Sequence, residues 1–289
     1  MFVHSPINIY DKTKRSVVFV YAPSAIRDEP FPTQDEHPLG TAFLIAIPLE
    51  ELGISRVVYY FVTNKHVLMY TQGALRKVDG SEVEQRICKR TPRCRICIRV
   101  NNTDNSAGIF HHLSLRYAGP QQNVWKHPEE HVDLIAVEMP LVEDFLPEGF
   151  LQQMIISPNS LKIEVGQDAF GVGYLSGYAG IGKNYPVVRF GRIALISDEK
   201  WLKSDRNPEI YEEGFLVELS SVGGASGSPV ILDVPQRPDV PLLIGVVKCL
   251  VASLHEEQQG LVAMEPPHNV VSLFDELKMN LTMRGFSVK

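Results

Sequence analysis

Short apolar runs rich in valine, isoleucine, tyrosine and phenylalanine are separated by turn residues along most of this chain. That punctuation predicts strands. Residues 16–21, 41–46 and 56–63 read as the first three, and 95–100 and 134–138 continue the series. Residues 186–195, 215–219, 229–232, 242–247 and 261–264 complete it. Helical spacing is much rarer. Residues 141–155 carry apolar side chains at mixed spacing, and Pro147 breaks any helix there. In 268–277, Val270, Leu273, Phe274 and Leu277 recur at the helical period, with Asn269 as a candidate cap. The polar segments 22–38, 121–131 and 199–208 read as loops. The pattern predicts an all-β chain with a C-terminal helix, divided between residues 1–145 and 146–289.

Composition narrows the class. The 289 residues allow two units or one large fold. With 44% hydrophobic and 21% charged residues the chain is globular rather than disordered. Its 28 Lys and Arg against 34 Asp and Glu give a net charge of −6, which lacks the basic footprint of a nucleic-acid binder. The first ten residues have no basic n-region, and Pro6 and Asn8 interrupt any apolar core of a signal peptide. The greasiest stretch, 242–254, contains Lys248 and is too short to span a bilayer. A cytoplasmic protein without membrane contact is expected.

Four cysteines are too few for a disulfide scaffold. Cys88, Cys94 and Cys97 cluster, but a closed zinc site needs four ligands, and His111 and His112 are adjacent rather than spaced as a ligand pair. Residues 93–100 read better as a strand, with Cys94, Ile96 and Ile98 on one face and Arg95, Cys97 and Arg99 on the other. No metal or organic cofactor is expected.

The sharpest local signal is Gly223-Gly-Ala-Ser-Gly-Ser-Pro229. Glycines on both sides let Ser226 sit on a tight turn with its hydroxyl exposed, and let backbone N–H groups converge on one point. A plain Gly/Ser-rich hairpin is the competing reading of that heptapeptide. An α/β-hydrolase elbow does not fit, because Ser228 stands where the second glycine belongs. Gly171-Val-Gly-Tyr-Leu-Ser-Gly177 departs from the dinucleotide-binding fingerprint and is followed by no helical run. In Phe61-Val-Thr-Asn-Lys-His66-Val-Leu a histidine closes an apolar strand, and in His131-Val-Asp133-Leu-Ile-Ala-Val137 an acid opens one. A carboxylate entering a core needs a hydrogen-bond donor or a cation beside it.

These segments, with Gly40-Thr-Ala-Phe-Leu-Ile45, resemble the successive motifs of chymotrypsin-fold (trypsin-like) serine peptidases over most of the chain. They run His, Asp, Ser, with spacings of 133 − 66 = 67 and 226 − 133 = 93 residues. Gly171-Val-Gly-Tyr, Pro186-Val-Val-Arg-Phe-Gly-Arg-Ile, Ile244-Gly-Val-Val and Gly260-Leu-Val-Ala-Met are similar to second-barrel strands of bacterial Deg-type and related intracellular peptidases, here without room for a PDZ domain. The resemblance implies two packed antiparallel six-stranded β-barrels. The first would carry His66 and Asp133, the second Ser226 and the helix, together forming one peptidase domain. It makes Ser226 the nucleophile, His66 the base and later the acid, and Asp133 the group that orients His66. The N–H groups of Gly224 and Ser226 would form the oxyanion hole.

The chain departs from secreted relatives in lacking cysteines beside His66 and Ser226, and lacks the start whose freed amine activates zymogens. Ser220, six residues before Ser226, stands where a trypsin has Asp, so preference for Arg or Lys is not supported. A peptide substrate is expected to pair beside Val247, Lys248 and Leu250. Lys248 reads in three ways: at the pocket mouth favouring an acidic side chain, near Asp133 as a supporting charge, or as a solvated strand lysine. Small or apolar side chains rank first as the preferred residue and acidic ones second. Arg86, Lys89, Arg90, Arg93, Arg95 and Arg99 would either bind an acidic partner or guard a strand edge. The expected partners are a polypeptide substrate and an activating or inhibiting protein, with no membrane and no nucleic acid. The rivals are a silent binding module on the same fold, a partner-gated enzyme, and an esterase using the same triad.

Overall fold

A computed structural model describes residues 9–22, 38–51, 54–74, 87–101, 107–139, 162–175, 178, 180, 182–202, 211–219, 224–234, 242–250 and 260–288. The N-terminal part runs α1 (Ile9–Ser16), β1 (Val17–Tyr21), β2 (Gly40–Glu51), β3 (Ile54–Thr63), a 3-10 turn (Lys65–Leu68), β4 (Met69–Ala74) and β5 (Ile87–Pro92). It continues with β6 (Arg95–Asn101), β7 (Gly108–Ser114), β8 (Val124–Lys126) and β9 (Ile135–Glu138). Then follow β10 (Asp168–Gly173), β11 (Val187–Leu202), β12 (Tyr211–Leu219), β13 (Pro229–Leu232), β14 (Leu242–Leu250), β15 (Leu261–Glu265), α2 (Pro267–Met283) and β16 (Ser287–Val288).

The all-β expectation holds. Strands β10–β11–β12–β15–β14–β13 close into a six-stranded antiparallel barrel. Among the described residues the first unit is a half-barrel sheet, ordered β7–β6–β1–β2–β3–β9–β8 with β16 on β2, rather than a closed six-stranded barrel. This is a two-barrel, chymotrypsin-like architecture with one C-terminal helix.

Alternation along the strands sorts the apolar side chains into three cores. Val18, Val20, Ala42, Leu44, Ile96 and Ile98 fill the hollow of the first sheet. Ala169, Val217, Val230, Ile244 and Val262 fill the closed barrel. The opposite faces, including Phe19, Phe43, Ile45, Phe170 and Val172, meet each other and α2 in a third core. Strands buried on both faces read as continuous apolar runs, which explains the texture of the sequence.

Some elements differ from expectation. The helix at residues 268–277 extends over α2, and Asn269 does not cap it: Pro267 occupies its first turn, where the fixed proline φ suits a helix start. The Asn269 side chain bonds Glu265 instead. Helix α1 carried no apolar stripe because Thr13 and Ser16 share its buried face, their hydroxyls donating to the carbonyls of Ile9 and Thr13. Residues 199–202 extend β11 rather than forming a loop, and 124–126 form β8 within the polar 121–131 segment. Cys94 is exposed just before β6 while Cys97 and Arg99 are buried, because the strand face that carries them packs against the second unit. The segment 141–155 and most of 22–38 lie outside the described residues.

Candidate active site

The end of β3 and the start of β9 are tied together through one residue. The 3-10 turn after β3 lifts His66 off the sheet. Asp133 accepts at its backbone carbonyl from Asn64 Nδ2 (2.9 Å) and from Lys65 N (3.3 Å). Its Oδ1 accepts from His66 N at 3.1 Å, and its Oδ2 lies 2.5 Å from His66 Nδ1. An ionised carboxylate can only accept, so Nδ1 is the nitrogen that donates to Asp133. Half-buried placement preserves access: the His66 side chain is 30% exposed and that of Asp133 15%.

Lys65 pins the neighbouring loop. It is buried, and its Nζ donates to the carbonyls of His127, Glu129 and Glu130 at 3.4, 3.1 and 3.3 Å. Burial lowers its pKa, and Asp133 partly opposes that shift.

Ser226 sits on a turn built by glycines at positive φ, Gly224 at 96° and Gly227 at 85°. A Cβ on Gly227 would lie 1.9 Å from Thr41 O, and one on Gly224 would lie 2.3 Å from the Tyr174 ring, so both positions require glycine. Thr41 holds this turn from β2. Its N–H donates to Ser226 O at 2.9 Å, and its hydroxyl donates to Gly224 O at 3.0 Å while accepting from Tyr174 N at 2.9 Å. The turn also meets the histidine segment. A Cβ on Gly40 would stand 2.9 Å from Val67 and 3.1 Å from Ser226 O, so the residue after His66 and the serine turn flank the same point. Gly227 and Ser228 donate their N–H groups to Val247 O and Ala225 O. Those of Gly224 and Ser226 have no acceptor among the described residues. The Ser226 hydroxyl donates to Lys248 O at 3.1 Å, and no hydrogen bond joins it to His66 among the described residues.

The expected substrate-facing positions fare differently. Ser220 lies outside the described residues. Val247 is buried in the barrel core, its N–H donating to Ser228 O and its carbonyl accepting from Gly227 N. Among the described residues β14 pairs with β13 only as far as Val246, while its pairing with β15 continues to Leu250, opposite Val262. The Lys248 side chain is 15% exposed and so is not a solvated strand lysine. Its Nζ stands 3.0 Å from Glu265 Oε1, and that oxygen accepts from Asp133 N at 2.8 Å. Of the three readings of Lys248, the one near Asp133 is observed, through a mediating carboxylate. Glu265 and the roles of Asn269 and Thr41 leave no mark in the motifs around His66, Asp133 and Ser226. Glu265 did leave a signal, as an acid closing the apolar strand Leu261-Val-Ala-Met just as Asp133 opens one.

Within the basic stretch Arg99 is withdrawn from the surface. It donates to Asn184 Oδ1 at 2.7 Å and to Gly180 O at 3.0 Å, and Arg86 lies outside the described residues. Among the described residues no three His, Cys, Asp or Glu side chains converge as a metal site, and no helix is long and apolar enough to cross a membrane.

No protein-family model matches the chain, and comparison with curated proteins finds no match. The solved structures similar to it include two of one protein. One is an inactive serine-to-alanine mutant of Rv3671c from M. tuberculosis H37Rv, 14% identical, covering 95% of this chain and 91% of that one with a TM-score of 0.49. The other is an inactive form of the Rv3671c protease, 15% identical, covering 91% and 89% with a TM-score of 0.46.

Proposed function

We propose that this chain is a serine endopeptidase acting through His66, Asp133 and Ser226. The observation that carries this is the joint anchoring of the pair and the turn. Asp133 holds both the backbone and Nδ1 of His66, while Gly40 and Thr41 bring the glycine-flanked Ser226 turn against the same segment.

In this reading Ser226 Oγ attacks the substrate carbonyl carbon as its proton passes to His66 Nε2. Asp133 stabilises the resulting imidazolium. The N–H groups of Gly224 and Ser226 receive the oxyanion, each worth about 3 to 4 kcal/mol of barrier. The C–N bond breaks with His66 returning the proton to the leaving amine, and water then hydrolyses the acyl-enzyme by the same relay. A polypeptide adds as a strand along β14 from Lys248.

The resting hydrogen bond from Ser226 to Lys248 O favours a substrate-gated form of this mechanism. A substrate amide N–H pairing with that carbonyl displaces the hydroxyl and turns it towards His66.

A fluorophosphonate probe read by intact mass tests the reading. One adduct on the wild type and none on Ser226→Ala is expected. Absence of an adduct on folded wild type, with or without a peptide bound, overturns it in favour of a binding module. Asp133→Asn should slow labelling by about four orders of magnitude, because it no longer holds the productive tautomer.

A further inference from the structure

Glu265 closes β15 and is 3% exposed, yet both carboxylate oxygens are used. Oε1 accepts from Asp133 N at 2.8 Å and pairs with Lys248 Nζ at 3.0 Å, while Oε2 accepts from Asn269 Nδ2 at 2.9 Å. The donors come from the start of β9, from β14 and from α2. Burying an ion pair contributes little to stability compared with well-packed apolar residues, so stability alone does not account for one beside Asp133. Lys248 is also the residue whose carbonyl holds the Ser226 hydroxyl, so one position touches both arms of the site.

We propose that Glu265 is a positioning residue, fixing the Asp133 peptide and, balanced by Lys248, setting the electrostatic environment of the His66–Asp133 pair. This rests on the triad reading. The other charged groups nearby are already committed. Lys65 donates to three carbonyls, and burial disfavours protonation of His127, whose neighbours include Lys65, Glu129 and Glu265. Lys126 and Glu130 act on Lys65 with opposite signs. The Lys248–Glu265 balance is therefore the adjustable part of the field.

Its signature is a pair of opposite shifts. Glu265→Gln keeps the shape but removes one negative charge beside Lys248 and Asp133, which disfavours a positive imidazole. Lys248→Met leaves the carboxylate unbalanced, which favours it. In isotope-labelled full-length protein, the NMR titration of the His66 ring should move to lower pH in the first variant and to higher pH in the second. Each shift should be on the order of one pH unit, and the double variant should return close to wild type. Should Glu265→Gln fail to fold, the Lys248→Met shift and its reversal in the charge-neutral double variant carry the test. Shifts of the same sign, or none in folded variants, overturn the proposal. The titration needs no turnover. Opposite shifts without fluorophosphonate labelling would sink the nucleophile assignment alone, whereas labelling without opposite shifts would sink this one alone.

Discussion

At Gly227 and Gly119 two similar backbones have opposite tolerance. Both have positive φ, 85° and 94°, but a Cβ at Gly119 would meet nothing within 4 Å, whereas one at Gly227 would strike Thr41 O. Gly119→Ala should cost about 1 to 2 kcal/mol of conformational strain. Gly227→Ala must push the serine turn away from β2, so it should lower the melting temperature further and abolish probe labelling. Thermal melts and intact mass on the two variants check this. His127 offers a pH prediction. Burial lowers its pKa from 6.5, with Lys65 adding to the effect. The unfolded chain therefore binds a proton more readily than the native one. The stability contributed by neutral His127 is complete above about pH 6.5 and is lost as pH falls through the lower native value. Melting temperature against pH should fall on the acid side, and His127→Asn, whose amide oxygen can accept the Glu129 N–H, should flatten that limb.

Elements in this chain are defined by what they cover. Helix α2 lays Val270, Leu273, Phe274, Leu277 and Leu281 on the core between the two sheets. Leu277→Ala should cost about 2 to 5 kcal/mol, whereas Met283→Ala, at a position 69% exposed, should stay within about 0.5 kcal/mol. Denaturant midpoints at unchanged slope measure both. The same helix contributes Asn269 to Glu265, so its packing reaches the candidate site. Strand β14 changes its pairing along its length. Up to Val246 it is an interior barrel strand, and beyond that its pairing among the described residues is with β15 alone.

Across the whole molecule the two units are joined by more than apolar contact. Arg99 on β6 donates to Asn184 and Gly180, while Asn184 returns a bond to Arg99 O at 2.6 Å and exchanges two more with Asn101. Tyr21 and Phe110 flank the guanidinium at 5.3 and 5.5 Å. Both termini also cross over: Tyr10 of α1 packs on Phe170 and Phe190, and β16 joins β2. Asn184→Ala strips a buried guanidinium of one acceptor, so it should destabilise the protein by about 1 to 3 kcal/mol, read from the same denaturant midpoints.

What the chain determined by itself is local. Short apolar runs and turn chemistry set most strands, such as residues 229–232, and the motifs around His66, Asp133 and Ser226 stood out because glycines, a strand-ending histidine and a strand-opening acid leave traces in neighbouring residues. Helix α1 and strand β8 were hidden because their buried faces or flanks are polar. Partnership across the chain was decided only by tertiary structure. Asp133 and Glu265 stand 132 positions apart with no sign in the sequence that they meet, and Lys248 read equally well as solvated, because a charge is identified by the group that faces it. Barrel closure brings β14 and β15 together behind the start of β9, and only there does an ordinary strand lysine acquire a buried carboxylate to balance.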